Sequence, residues 1–201
     1  MCAQVEELVH QAVDSLTRPS REAAADLRRQ DDRIDELDVA IENDCLKILA
    51  LHQPVANDLR RVCSVLKIIG ELERVADLAV HIAERACGLV TRTDVLVPEK
   101  LKTMANRSVE MLRRAIDAYV ELDSKSARTL VAEDAEIDEM NREIIIELKQ
   151  RMQQTPDQIE PLMHLFSASR HVERVADHAT NIAEDVVYMV DGNTIRHRNL
   201  D

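Results

Sequence analysis

The pentapeptide Glu-Arg-Val-Ala-Asp occurs twice in this chain, at residues 73–77 and again at residues 173–177. Ile-Ala-Glu follows both copies at the same distance, at residues 82–84 and 182–184. Matching segments that lie 100 positions apart indicate an internal repeat, in which one structural unit is used more than once. This repeat predicts that the chain folds as two similar units in tandem.

The repeat extends upstream with a spacing of 103 positions instead of 100. Ser20 aligns with Asp123, and Ile-Asp-Glu at residues 34–36 aligns with the same tripeptide at residues 137–139. The three-residue difference falls between the two aligned parts of each unit, where a turn can absorb it. We predict a first unit over residues 1–92, a second unit over residues 93–192 and a polar tail over residues 193–201.

The residue composition favours helices. Only 3 of the 201 residues are Gly and 5 are Pro, which is too few for the many tight turns of a β-protein. Aromatic residues make up 1% of the chain, so its core must be aliphatic. Charged residues make up 32%, a share that suits long helices with a solvated face. The sequence therefore predicts an all-α fold.

Capping residues and prolines mark six helical stretches. Ser20 is a good N-cap, Asp123 is another, and Thr155 with Pro156 supplies a cap and a first helical position. The predicted helices run from about Cys2 to Leu16, Ser20 to Leu51, Pro54 to Thr91, Pro98 to Glu121, Asp123 to Gln153 and Thr155 to Gly192. Since long helices need long packing partners, we predict two tandem three-helix bundles of six long helices, related by a pseudo-twofold repeat.

The formal net charge of −12 limits the possible partners. Nucleic acid is not an expected partner, and we expect no direct phosphate binding unless a metal ion mediates it. The cysteines form no CxxC motif and are interpreted as free thiols in a reducing compartment: Cys2, Cys45, Cys63 and Cys87. The sequence shows neither a signal peptide nor a membrane span, so we expect a cytoplasmic protein.

Carboxylates interrupt the apolar face of several predicted helices. Glu73 stands between Ile69 and Ala76, where the helical spacing predicts an apolar residue. In each of four places a second carboxylate follows four positions later, on the same helix face. The pairs are Asp31/Asp35, Glu73/Asp77, Asp134/Asp138 and Glu173/Asp177. Each pair needs protons, cations or basic partners, because burying an unpaired carboxylate is costly.

The turns of the two helix hairpins bring these pairs to matching heights. Asp35 lies 19 residues before Pro54, and Glu73 lies 19 residues after it. The pairs of the second unit lie at similar distances on either side of Pro156. Each unit can therefore gather four carboxylates across one helix pair. Oxygen ligands suit iron(III), manganese, magnesium or calcium, with zinc less favoured, so we predict a metal site in each unit.

Two further observations bear on the metal prediction. His81 lies four residues after Asp77 and could join the first site, whereas the repeat places Asn181 at the equivalent position. The alternative is that basic side chains neutralise the carboxylates without any metal ion. The arginines near enough in sequence are Arg28, Arg29, Arg60, Arg61, Arg74 and Arg174. Of these, Arg74 and Arg174 can each pair with the aspartate three positions on.

Residues 51–62, 67–84 and 170–192 resemble the two repeats of the PhoU family. That resemblance covers essentially the whole chain, and it includes Ile-Arg-His at residues 195–197. It implies a non-enzymatic regulator of phosphate uptake, built from two three-helix bundles. The implied partners are the ATPase subunit of a phosphate ABC transporter and a phosphate-sensing histidine kinase, and the implied assembly is a homodimer. It also implies repression of phosphate-starvation genes.

The resemblance also bears on the carboxylate pairs. Some family members bind iron clusters or zinc through pairs of this spacing, so a multinuclear transition metal is the expected cofactor. The chain departs from the family in its short first helix and in His81, where the family commonly has Asn. We therefore expect two related metal sites that are not identical.

Two other functions fit the residue pattern in part. A carboxylate-bridged di-metal oxidase needs Glu-x-x-His on two helices, and here that motif occurs once, at Glu7 and His10. A plain helical scaffold without metal is the second alternative. In that case the carboxylates would form ionic ladders with the arginines.

Overall fold

A computed structural model describes residues 1–92 and 94–195, and every regular element in this part of the chain is helical. The helices are α1 (Cys2–Thr17), α2 (Arg21–His52), α3 (Ala56–Cys87), α4 (Glu99–Glu121), α5 (Ser124–Val131), α6 (Asp134–Gln154) and α7 (Ile159–Asp191). A one-turn 3₁₀ helix at Pro156–Gln158 precedes α7. The all-α prediction is confirmed. Most of the predicted tail, residues 196–201, lies outside the described residues.

Local capping chemistry sets the predicted helix starts. The Ser20 hydroxyl accepts a hydrogen bond from the Ala23 N–H at 3.3 Å. The Asp123 carboxylate accepts from the N–H groups of Lys125 and Ser126 at 3.0 and 3.1 Å. Each bond satisfies a backbone donor that has no partner within its helix.

The predicted fifth helix is wrong in one respect, because it breaks at Ala132 and Glu133 instead of running unbroken to Gln153. At the break the Glu133 N–H bonds to the Leu130 carbonyl three residues back, at 3.0 Å, which tightens the turn. The Glu133 carboxylate accepts two hydrogen bonds from Arg114 of α4, at 2.7 and 2.9 Å. A new helix, α6, therefore begins at Asp134.

The ends of two other predicted helices also shift. The third helix begins at Ala56 rather than at Pro54 and ends at Cys87, followed by a turn. The sixth opens with its 3₁₀ turn and ends at Asp191, where Gly192 adopts a left-handed φ of +74°. Glycine takes this conformation at little cost. No helix of the described residues is long and apolar enough to cross a membrane.

Helices α3 and α7 pack against each other at the centre of the molecule. Around them, α1 and α2 pack on α3, while α4, α5 and α6 pack on α7. The core between them is aliphatic, as the composition predicts, and it includes Leu8, Leu72, Met104, Leu112 and Leu165. Each unit thus contributes one central helix and presents its hairpin partner, α2 or α6, toward the outside.

The far ends of the two hairpins are covered to different extents. In the second unit Ile144 and Leu148 are fully buried. Arg151 donates a hydrogen bond to the Leu96 carbonyl at 2.9 Å, which ties the segment between the units to α6. In the first unit Leu51 and Val55 remain about three-quarters exposed, at 76% and 74%. The turn end of the α2–α3 hairpin therefore leaves two large apolar side chains in contact with solvent.

Candidate metal centres

Three of the predicted carboxylates of the second unit converge between α6 and α7. Asp138, Glu173 and Asp177 each offer one oxygen, and these atoms all lie within 4.8 Å of one another. Asp138 is exposed, whereas Glu173 and Asp177 are half-buried. The turn at Pro156 sends α7 back along α6, so the acidic faces of the two helices oppose each other as the spacing predicts.

Asp134, the fourth carboxylate of this set, lies at the first position of α6. It accepts a hydrogen bond from the Thr180 hydroxyl of α7 at 3.2 Å. Burial raises the pKa of Asp134, and the charge of Asp138 raises it further. The positive end of the helix dipole favours an acid at this position, so the break in the fifth helix supports a carboxylate here.

Burial and the crowding of negative charges raise the pKa values of the second-unit carboxylates. Burial, and then the charges of Glu173, Asp134 and Asp138, raise the pKa of Asp177 to about 6. Burial and the charge of Asp138 raise the pKa of Glu173 as well. Carboxylates that resist ionisation together would be stabilised by a cation between them.

The carboxylates of the first unit lie near one another but converge less closely than those of the second unit. Burial, then Asp35 and Asp77, raise the pKa of Asp31 to about 6. Its Oδ1 atom is buried and has no hydrogen-bond partner. Burial and the charge of Asp77 raise the pKa of Glu73. Within residues 1–92 and 94–195 only the second-unit trio brings three ligand atoms within 4.8 Å.

The arginine alternative holds partly in the first unit. Arg74 lies 3.4 Å from Glu73 and 3.7 Å from Asp77, the aspartate three positions on. Arg174, its repeat equivalent, forms no salt bridge with any residue that the structure describes. Arg28 and Arg29 pair instead with Glu84 and Asp26. The second-unit carboxylates are therefore left without a basic partner in direct contact.

The oxygen-only composition of both clusters fits a hard cation, and the unpartnered Oδ1 of Asp31 is a free donor atom in the first. His81 makes a different contact. Its ring stacks on His171 of α7, with ring centroids 5.3 Å apart. Its role as a ligand stays a prediction, as does metal binding by all eight carboxylates.

The sequence did not predict a row of polar contacts between α3 and α7. His178 Nδ1 lies 2.6 Å from the Glu71 carboxylate, and Asn181 donates a hydrogen bond to the same oxygen at 3.1 Å. Lys67 donates to Asp185 at 3.3 Å. Asp185 lies in an apolar run near the end of α7. A carboxylate in such a run needs a partner when it is buried, so the sequence could have indicated this contact.

The residues of the oxidase alternative lie elsewhere. Glu7 accepts a hydrogen bond from Gln11 at 2.7 Å, and His10 lies 3.8 Å from Asp14. All four residues belong to α1, whereas the carboxylate clusters lie on α2, α3, α6 and α7. The single Glu-x-x-His motif therefore joins neither cluster.

Comparison with known proteins agrees with this two-unit architecture. The PhoU domain matches the chain twice, over residues 1–86 and residues 101–186. This chain belongs to the PhoU family. Each matched PhoU domain contains one complete set of four carboxylates.

Relatives within the PhoU family match over nearly the full chain. One from Burkholderia sp is 32% identical over 207 residues, covering 98% of this chain and 88% of the relative. One from Aquifex aeolicus is 33% identical over 200 residues, covering 100% of this chain and 90% of the relative. Both relatives are named phosphate-specific transport system accessory protein PhoU homolog.

Solved PhoU structures share the fold. The crystal structure of PhoU from Pseudomonas aeruginosa matches with a TM-score of 0.91 at 32% identity, covering 96% of this chain and 93% of that one. PhoU from Streptococcus pneumoniae, named a phosphate transport system regulatory protein, matches with a TM-score of 0.88 at 28% identity. That alignment covers 96% of this chain and 91% of the S. pneumoniae chain. The tandem-bundle prediction is thereby confirmed.

Proposed function

We propose that this chain is an accessory regulator of phosphate uptake and of phosphate-starvation signalling, and that it acts by binding other proteins. The observation that carries the proposal is the double match to the PhoU domain across the whole fold. Full-length relatives named as accessory proteins of phosphate transport support it. The isolated Glu-x-x-His motif on α1 also favours a binding role over oxidase catalysis.

The proposed partners are the ATPase subunit of a phosphate ABC transporter and a phosphate-sensing histidine kinase. A homodimer in the cytoplasm is the proposed working form. The long α2–α3 hairpin offers exposed apolar side chains for such contacts, including Leu46, Leu51 and Val55.

Depletion of the protein in its source cell tests the regulatory proposal. Phosphate-starvation genes should switch on in medium with ample phosphate, because the repressing accessory protein is missing. Restoring the wild-type chain should switch them off again. Unchanged expression after depletion would contradict the proposal.

We propose further that the carboxylates of each unit hold a multinuclear transition metal, with iron or zinc the expected element. The ligands in the first unit would be Asp31, Asp35, Glu73 and Asp77, with His81 as a candidate fifth ligand. Those in the second unit would be Asp134, Asp138, Glu173 and Asp177. The metal would supply positive charge that neutralises the acids and links the two helices of each hairpin.

Elemental analysis of protein purified without chelator tests the metal proposal. Iron or zinc should copurify with the wild-type chain, and much less should copurify when Glu73→Gln, Asp77→Asn, Glu173→Gln and Asp177→Asn are combined. Glu22→Gln, Glu42→Gln, Glu121→Gln and Glu160→Gln combined are a matched control, because they remove four exposed carboxylates that belong to neither set. A wild-type chain free of metal would favour the metal-free scaffold.

A further inference from the structure

A basic crevice separates α1 from α2 on the outside of the first unit. Its volume is about 450 Å³, within the range of small-molecule sites in proteins. Three arginines line it, Arg18, Arg29 and Arg33, together with the side-chain amides of Gln11 and Gln30. An arginine-lined crevice is unexpected in a chain whose net charge is −12.

Two of the three guanidinium groups are uncommitted. Of the two carboxylates of the crevice, Asp26 pairs with Arg29, and Asp14 lies 3.8 Å from the His10 ring. Arg18 and Arg33 are exposed, and neither forms a salt bridge with any residue of the described chain. An anion in the crevice could therefore meet two free guanidinium groups.

The amides of Gln11 and Gln30 hold the two walls of the crevice together. Gln30 Nε2 donates a hydrogen bond to Gln11 Oε1 at 3.1 Å, and that bond connects α2 to α1. Gln11 in turn donates to Glu7, one turn back along α1. Arg18 follows directly after the last residue of α1, and Arg33 lies within α2, so the two guanidinium groups come from the two linked walls.

The second unit shows that the fold does not require this positive charge. The 103-residue shift places Glu121 at the position of Arg18 and Glu136 at the position of Arg33. Ala132 takes the place of Arg29. Glutamates thus replace two of the three arginines in the second unit, where Arg114 stands at the position of Gln11. The arginines are a property of the first unit alone, which points to a ligand rather than to bundle stability.

We propose that this crevice binds a phosphorylated small molecule larger than inorganic phosphate, such as a nucleoside triphosphate. Guanidinium groups match phosphate oxygens in geometry and stay charged at every physiological pH. Arg18 and Arg33 line the same crevice, so a ligand with several phosphoryl groups offers negative charge to both, whereas one phosphate ion fills little of 450 Å³. This proposal stands on the crevice alone and does not depend on the metal sites or on the regulatory role.

Calorimetric titration of the full, chelator-treated chain with ATP tests the proposal at low salt without magnesium, so that no metal site contributes. ATP should bind, and Arg18→Glu combined with Arg33→Glu should weaken binding about tenfold or more. Both variants copy residues that the second unit carries at these positions, so the bundle should fold. Arg18→Gln with Arg33→Gln is a milder pair, for which we expect an intermediate loss.

A control variant separates the crevice from the overall charge. Arg61→Glu with Lys149→Glu makes the same change in net charge at exposed sites away from the crevice, and ATP binding should change by less than about twofold. Inorganic phosphate should bind at least about tenfold more weakly than ATP. Three outcomes would overturn the proposal: no binding of ATP, an equal loss in the control variant, or equal affinity for inorganic phosphate.

Discussion

The two carboxylate clusters occupy equivalent positions of one repeated unit, yet their surroundings differ. In the second unit Asp134 starts a helix, and Asp138, Glu173 and Asp177 converge within 4.8 Å. In the first unit Asp31 lies inside the unbroken α2, and Arg74 contacts Glu73 and Asp77. The same residue pattern therefore produces a converging cluster in one place and a partly neutralised one in the other.

Substitutions of buried residues near the turns of the two hairpins should show the largest difference in stability between the units. Leu148 is fully buried, and its repeat equivalent is Cys45, which is 6% exposed. Leu148→Ala should cost about 2–5 kcal/mol in the free energy of unfolding, because it leaves a cavity in the aliphatic core. Cys45→Ala should cost about 1 kcal/mol or less. Urea denaturation measures both, and equal costs would contradict the difference in packing.

The raised pKa values predict a pH dependence for chelator-treated protein. The folded pKa of Asp177 is about 6, above its ordinary value of 3.8, so the folded chain holds this proton more tightly than the unfolded chain does. Stability should fall as pH rises from about 4 to 6, with the full penalty present above that range. Asp31 should contribute in the same direction.

Amide substitution isolates this effect. Asp177→Asn should raise the free energy of unfolding by on the order of 1 kcal/mol at pH 7 and by almost nothing at pH 4. The gain at pH 7 is small because solvent screens the charge of a half-buried group. Glu73→Gln should give a smaller gain, because it also removes the contact with Arg74. Urea denaturation at both pH values distinguishes the two variants. A gain that is equal at pH 4 and pH 7 would show that ionisation is not its cause.

The helix caps of the two units should contribute smaller amounts to the free energy of unfolding, and the two amounts should be similar. Ser20→Ala removes one hydrogen bond from the start of α2, whereas Asp123→Ala removes two backbone bonds and a contact with the Ser126 hydroxyl. Each change should cost about 1 kcal/mol, with Asp123 toward the upper end of about 0.5–2 kcal/mol. Thermal denaturation of both variants tests this order, and a larger cost at Ser20 would reverse it.

Removing the side-chain contact that joins the first two helical segments of each unit should have the smallest effect on stability. Arg114 and Glu133 form an ion pair in the second unit, where Gln11 and Gln30 form a neutral hydrogen bond in the first. Glu133→Gln should cost about 0.5 kcal/mol at low salt and less at 1 M salt, because both side chains are about one-third exposed. Gln30→Ala should show no such salt dependence. A salt-independent loss at Glu133 would point to packing rather than to charge.

The sequence predicted features that depend on local chemistry and missed those that depend on tertiary contacts. The caps at Ser20 and Asp123 and the contact between Arg74 and Asp77 follow from spacing along one helix. The break at Ala132 could not be predicted, because alanine is a strong helix former and the turn is coupled to a contact with α4.

The difference between the two clusters was equally hidden. Arg74 and Arg174 have identical neighbours in the pentapeptide, yet only Arg74 contacts the acids in the described chain. The pentapeptide is the same in both units, so a pattern read along one helix does not predict this difference. The eight carboxylates could be named from the sequence, but their degree of convergence could not.

The number and affinity of cations bound by chelator-treated protein test the central claim most directly. Titration with iron or zinc should load the wild-type chain, and Glu173→Gln with Asp177→Asn should weaken binding more than Glu73→Gln with Asp77→Asn does. Metal retained by each double variant would show that both units bind it, and the larger loss would show that the converging second cluster binds it more tightly. No binding by the wild-type chain, or an equal loss from the two double variants, would contradict the account.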